Sequence, residues 1–175
     1  ALENNRVLEI IALEKNLDSK KVKDLIKIAQ QKNVEVKNIK SKNEWEFTST
    51  EYVAAICVPK TIYSESDLKK FDETNFIVCD HIQDTNNLGA IARSAASFDF
   101  NVMCVPERRS ARLSERTFKI SSGGLEKLDI LEYKSIFSLI KKFQSLDVWT
   151  IGLDMDGEVE ICLLYTSDAA DDLTR

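Results

Sequence analysis

The sequence predicts an α/β fold with an open, mostly parallel sheet in its second half. Three observations carry that prediction. Short apolar runs rich in branched residues recur at 7–13, 53–58, 76–79, 102–105 and 128–133, each too short for an ordinary helix. Segments with helical spacing lie between most of them, the alternation that builds parallel strands through right-handed crossovers. Turn-forming residues, among them Asn33, Pro59, Pro106, Gly123 and Gly124, fall between the runs or at their ends.

Taken in order, residues 7–13 read Val-Leu-Glu-Ile-Ile-Ala-Leu and predict a strand. Asp18 or Ser19 can cap the next segment, where Val22, Leu25, Ile26, Ile28 and Ala29 fall near helical spacing with lysines between them. Asn33 closes that amphipathic helix. Residues 34–39 alternate at period two, a short helix follows, and 53–58 form a buried strand ended by Pro59. Residues 61–74, with Ser64, Ser66, Asp67 and Asp72, read as a linker between a small α/β domain at 1–60 and a second domain at 75–161. There, 76–79 and 102–105 are separated by one helix and should lie parallel. Ser114 can cap a short helix to Ile120, which Ser121-Ser122-Gly123-Gly124 breaks. A strand at 128–133, a helix around 136–143 and a strand at 148–152 complete the pattern. Ligands of such sheets bind beyond the carboxyl ends of the strands, which points to the loops after 79 and 105.

With 175 residues, 43% of them hydrophobic, the chain can bury a packed core. No apolar run approaches the roughly 18 to 20 residues of a membrane helix, and no signal-like segment opens the sequence, so a cytoplasmic protein with no membrane partner is expected. The first residue is not Met, which suggests a trimmed N-terminus. Cys57, Cys79, Cys104 and Cys162 are scattered without a Cys-x-x-Cys pair, and His81 is the sole histidine. Buried thiols are expected, and no metal. The net charge of -5 hides an asymmetry, because seven of the 29 acidic residues but only one of the 24 basic ones fall in 151–175. The rest is nearly balanced, which leaves room for an RNA partner recognised by local patches.

The stretch from Asp84 to Arg93 carries the most chemistry. Asn87 stands at the mouth of a helix, with Arg93 six residues on and near the same face. Backbone N–H groups from Asn86 to Gly89 can meet an anionic oxygen, and an arginine fork can hold a phosphate. A plain helix cap beside a solvated arginine fits the same spacing. Further on, Arg108, Arg109 and Arg112 belong to the densest arginine cluster in the chain, either a phosphate-contacting patch or a solvated face.

The run Asp84-Thr85-Asn86-Asn87-Leu88-Gly89-Ala90-Ile91-Ala92-Arg93-Ser94-Ala95 resembles the first motif of the SpoU (TrmH-like) RNA ribose 2'-O-methyltransferases of the SPOUT superfamily. Val105-Pro106, Lys119-Ile120-Ser121-Ser122-Gly123-Gly124-Leu125-Glu126 and 148–152 continue the resemblance in order. It implies that 75–161 is the N-terminal part of an α/β-knot methyltransferase domain, the knot itself missing, and that 1–60 is an L30e-like RNA substrate-binding domain. The enzyme it resembles most methylates a guanosine ribose of 23S rRNA, with S-adenosylmethionine as methyl donor and a homodimer as the complete assembly. By position, Arg93 matches the family's catalytic arginine. A guanidinium is no ordinary base, so its implied part is to orient an RNA phosphate and the ribose 2'-OH. Asn87 matches the motif asparagine that positions this loop. Gly152 and Leu153 would touch the cofactor. Asn86, Gly89, Arg108, Arg109 and Arg112 would meet RNA, while Asp84 and Glu126 would be structural, Glu126 holding the first-motif loop.

Departures from the family pattern are plain. Thr85 replaces a proline, Asp99 a helix-ending glycine, and Thr50-Glu51-Tyr52 a His-Gln-Gly turn; His81, where glycine is frequent, reads as a turn residue. The family's second and third motifs, associated with the knot, the donor pocket and the dimer interface, are absent from this sequence. Residues 162–175 resemble a translated sequencing-library adapter and read as a non-native tail. The chain alone is therefore expected to be inactive. A non-catalytic RNA- or ribosome-binding module, or a tRNA 2'-O-methyltransferase of the same family, remain alternatives. An unrelated nucleotide-binding enzyme is a further one, although no phosphate-binding glycine loop is present.

Overall fold

A computed structural model describes residues 1–47, 52–153 and 157. Two compact units emerge, Ala1–Lys134 and Ser135–Arg175. The first holds two sheets.

In the N-terminal sheet, β1 (Val7–Leu13) lies between β2 (Glu35–Ile39), which is parallel to it, and β3 (Val53–Cys57), which is antiparallel. β1 buries Val7, Ile10, Ala12 and Leu13 and leaves Leu8 in solvent, so one face is covered more than the other. The crossover from β1 to β2 is α1 (Lys20–Gln31), whose Ala29 packs with Val7 and Ile10. Asn33 ends it at φ 56°, with its own N–H donating to Gln30 O and that of Val34 to Ala29 O. This is the left-handed helix stop that asparagine tolerates best after glycine.

The second sheet is wholly parallel, in the order β4 (Ile62–Ser64), β7 (Asp129–Tyr133), β6 (Val102–Pro106), β5 (Phe76–Val78). α2 (Thr85–Ser97) crosses from β5 to β6, and the short α3 (Glu115–Ile120) and α4 (Gly124–Lys127) lie between β6 and β7. Every residue of β6 is buried, as a strand covered on both faces requires. Leu88, Ala92 and Ala95 of α2 join Met103, Val105, Leu125, Leu128 and Ile130 in one core. The expected parallel pairing of the strands flanking α2 is present, with Phe76 opposite Val102. Asp99 takes the left-handed stop after α2 at φ 57°, and His81 is a turn residue at φ 53°.

Two expectations are corrected. The 61–74 segment is not a bare linker. It supplies β4, which pairs with β7, and a 3-10 turn over Glu65–Lys70 in which Asp67 accepts from the Ser64 N–H at 2.9 Å. Its polar residues, which read as loop punctuation, are cap partners. Residues 148–152 form no strand. The Val148 N–H donates to Phe143 O at 2.9 Å and closes α5 (Ile136–Ser145), with Asp147 in the left-handed conformation. A strand exists only by pairing, and Trp149, Ile151 and Leu153 stay exposed. No helix among the described residues is long and apolar enough to cross a membrane. Thr50, Glu51 and the 162–175 tail lie outside the described residues.

Candidate functional site

The entry to α2 lies just beyond the carboxyl end of β5. Asp84 is its N-cap, and one carboxylate oxygen accepts from both the Asn86 N–H and the Asn86 side-chain amide, each at 2.9 Å. Its carbonyl accepts from Leu88 N–H at 3.0 Å. The anion expected at this helix end is thus supplied by the chain itself, which fits Asp84 as a structural residue. Gly89 is buried and is corrected as an RNA contact. A Cβ there would stand 2.8 Å from Ile120 side-chain carbons, so the glycine is what lets α2 and α3 touch.

Arg93 is exposed, two turns along α2, with no ion pair or hydrogen bond to its guanidinium among the described residues. At about 100° per residue, Asn87 stands about 120° around the helix from Arg93, whereas Asn86 stands about 20° away. The expected shared face therefore belongs to Asn86, a consequence of seven residues being nearly two whole turns. Arg93 borders a cavity of about 280 Å³ with Asn4, Ser97, Ser122, Gly123 and Lys127. Behind it, Gly124 presses on α2, and a Cβ there would meet Ala92 O at 2.6 Å and Arg93 Cα at 2.8 Å.

Arg108, Arg109 and Arg112 are exposed on the loop after β6, which is tied to the loop after β5. Ala111 N–H and Ser110 Oγ both donate to Ile82 O, at 2.7 and 3.1 Å. Ser114 caps α3 with a reciprocal bond pair to Thr117, and Thr117 Oγ1 donates to Arg112 O at 2.8 Å. Sequence reasoning missed Arg116, whose Nη2 donates to Asn86 Oδ1 at 3.3 Å; its place two residues after the Ser114 cap was the available signal. It also missed the cluster at the strand ends, where the Tyr133 hydroxyl stands 3.0 Å from the Asp80 carboxylate and His81 Nδ1 stands 2.7 Å from the same group. Burial, reinforced by Asp80, pushes the Tyr133 phenol up. A tyrosine ending a strand at the carboxyl edge is the pattern that would have flagged it.

The Glu126 carboxylate, expected to hold the first-motif loop, bonds Arg6 directly at 2.7 Å, a pairing of residues 120 positions apart. Gly152 and Leu153 are both exposed. No metal-binding cluster of His, Cys, Asp or Glu occurs among the described residues.

Solved structures share this α/β architecture. The chain superposes on the SpoU methyltransferase AviRb from Streptomyces viridochromogenes, solved with AdoMet, at a TM-score of 0.61 and 18% identity, covering 84% of this chain and 55% of that one. An rRNA methyltransferase from Sinorhizobium meliloti gives a TM-score of 0.67 at 14% identity, over 91% and 60%. The chain belongs to the SpoU rRNA Methylase family, whose model matches residues 74–169, a span that runs into the tail. A 23S rRNA (guanosine-2'-O-)-methyltransferase, RlmB, of Xylella fastidiosa is 32% identical over 116 residues, 63% of this chain and 46% of that protein. The chain spans about half the length of the curated relatives it matches.

Proposed function

We propose that this chain is the RNA-facing part of an S-adenosylmethionine-dependent ribose 2'-O-methyltransferase acting on a guanosine of 23S rRNA. The observation that carries the reading is Arg93, solvent-facing and unpaired among the described residues, at the motif position of the family the chain belongs to. Arg93 holds an RNA phosphate beside the reacting ribose and orients the 2'-OH, while Asn86 and Asn87 frame the entry to α2. Arg108, Arg109, Arg112 and Arg116 contact the RNA backbone from the neighbouring loop and helix. S-adenosylmethionine would supply the methyl group, with Gly152 and Leu153 among the residues that would touch it. The 175-residue chain, in which the family's second and third motifs are absent, is inactive alone, and the complete enzyme is a cytoplasmic homodimer.

The test is transfer of labelled methyl from S-adenosylmethionine by this chain joined to the two motifs absent from it, with 23S rRNA fragments and tRNA as acceptors. Label at ribose 2'-O of 23S rRNA is expected. Label in tRNA alone would replace the substrate. Binding of RNA with no label in either acceptor would favour the non-catalytic binding module.

A further inference from the structure

Arg6 is the most heavily bonded of several groups that fasten the surroundings of Arg93 to the N-terminal region. Asn4 and Lys60 also donate to Glu126 O, and the N-terminal ammonium stands 3.5 Å from the Glu126 carboxylate. Arg6 lies just before β1, and its Nη1 stands 2.7 Å from both carboxylate oxygens of Glu126. Its Nε and Nη2 donate to Val58 O at 3.1 and 2.9 Å, and its guanidinium carbon lies 5.4 Å from the centre of the Phe118 ring. Val58 follows β3, Phe118 is on α3 and Glu126 on α4, so one planar group joins three elements. The pair is shielded, with side-chain exposures of 18% and 16%. Removing Glu126 would leave the mostly buried Arg6 charge without its carboxylate, whereas removing Arg6 would leave Glu126 only the N-terminal ammonium at 3.5 Å.

The two helices that Arg6 grips are also the two that meet α2 without slack. Gly89 faces Ile120 of α3, and Gly124 of α4 faces the α2 backbone at Ala92 and Arg93. A shift of α4 thus acts directly on the backbone from which Arg93 projects. Glu126 and Arg93 border the same cavity, whose remaining wall includes Asn4, two residues before Arg6.

We propose that Arg6 is a positioning residue for Arg93, holding α4 against α2 through Glu126 and thereby coupling the placement of Arg93 to the docking of the N-terminal sheet. The inference rests on the functional reading above only for its catalytic consequence. A lysine cannot replace the arginine, because only the guanidinium fork reaches Val58 O and Glu126 at once.

The experiment follows the Arg93 Nε–Hε cross-peak in the isotope-labelled 175-residue chain, assigned by its loss in Arg93→Lys. Arg6→Ala, Arg6→Lys and the shape-preserving Glu126→Gln should each displace that peak by more than its width. Lys70→Ala, which removes the separate Lys70–Asp67 pair, should leave it in place. An unmoved Arg93 peak in folded Arg6→Ala and Glu126→Gln proteins overturns the proposal. In the methyl-transfer assay, Arg6→Ala should lower kcat by up to about 10²-fold, as for a misplaced catalytic group, with the RNA KM little changed. That loss should vanish in an Arg93→Ala background, and an equal loss in both backgrounds overturns positioning. A displaced peak, together with no methyl transfer by the chain joined to the two motifs absent from it, sustains the coupling and removes instead the methyltransferase reading.

Discussion

The two sheets of the first unit bury their strands to different depths. In the N-terminal sheet, Leu8 is 59% exposed and Ile56 39%, whereas β6 is buried throughout and Ile130 and Leu131 of β7 are fully inaccessible. The difference separates two tasks. The central strands of the parallel sheet are packed on both faces, although its edge strand β4 leaves Ile62 49% exposed, and exposed arginines stand on the connection after β6. The N-terminal sheet keeps open surface, as a module that meets a partner can. Truncation in the two sheets should therefore differ widely. Leu131→Ala removes side-chain volume from a closed site and should cost about 2 to 5 kcal/mol in urea denaturation. Ile56→Ala, already in partial contact with water, should cost less than about 1.5 kcal/mol. Equal losses would show that the two sheets share one depth of core.

Overpacking sharpens the same contrast at the site. Gly124→Ala and Gly89→Ala each force a methyl into Ala92 and Arg93 backbone or into Ile120, and should lose about 1 to 3 kcal/mol by thermal melting. Gly152→Ala meets nothing within 4 Å and should leave the melting temperature unchanged.

Much of this was legible in the sequence, for identifiable reasons. Asn33, Asp99 and His81 declared left-handed turns because few residue types accept that backbone. The Ser114 cap is a local signal that needs no tertiary context. Residues 148–152 misled because periodicity reports apolar content and not the presence of a pairing edge. Gly89 misled in another way: it marks a close helix contact, which sequence cannot distinguish from ligand approach, while Gly124, read as part of a helix break, also presses on α2. Arg6–Glu126 was invisible, since no local pattern connects residues so far apart.

Thiol chemistry compares the sheets without mutating their cores. Burial pushes Cys79 up to about 11 and Cys104 up to about 12 from an ordinary 9.0, while Cys57 of β3 is only half-buried. In a Cys162→Ser background, iodoacetamide should label Cys57 first, and Cys79 and Cys104 only as the protein unfolds. From about pH 9 upward the unfolded chain loses thiol protons that the folded one retains, so stability falls as pH rises through that window. Cys104→Ala should lessen that slope in denaturation series between pH 8 and 10; Cys57→Ala should lessen it less. Labelling of all three at one rate would erase the distinction.

The smallest effect concerns helix starts, and it separates the regions most cleanly because the residue type is the same. Ser114 accepts from the Thr117 N–H and is answered by the Thr117 hydroxyl, whereas Ser19, at the corresponding position of α1, makes no side-chain cap bond. A cap contributes only through the N–H it satisfies, so Ser114→Ala should cost about 1 kcal/mol and Ser19→Ala a few tenths or less. The Ser114 loss has a second consequence, because Thr117 also anchors the Arg112 carbonyl. Loosening Thr117 frees the arginine loop at one end while Ser110 and Ala111 still hold Ile82 at the other. Hydrogen exchange should therefore accelerate at the Thr117 amide in Ser114→Ala, with the Ala111 amide unchanged. Matching stability losses for the two serines would mean that α1 and α3 start in the same way, against the geometry of both.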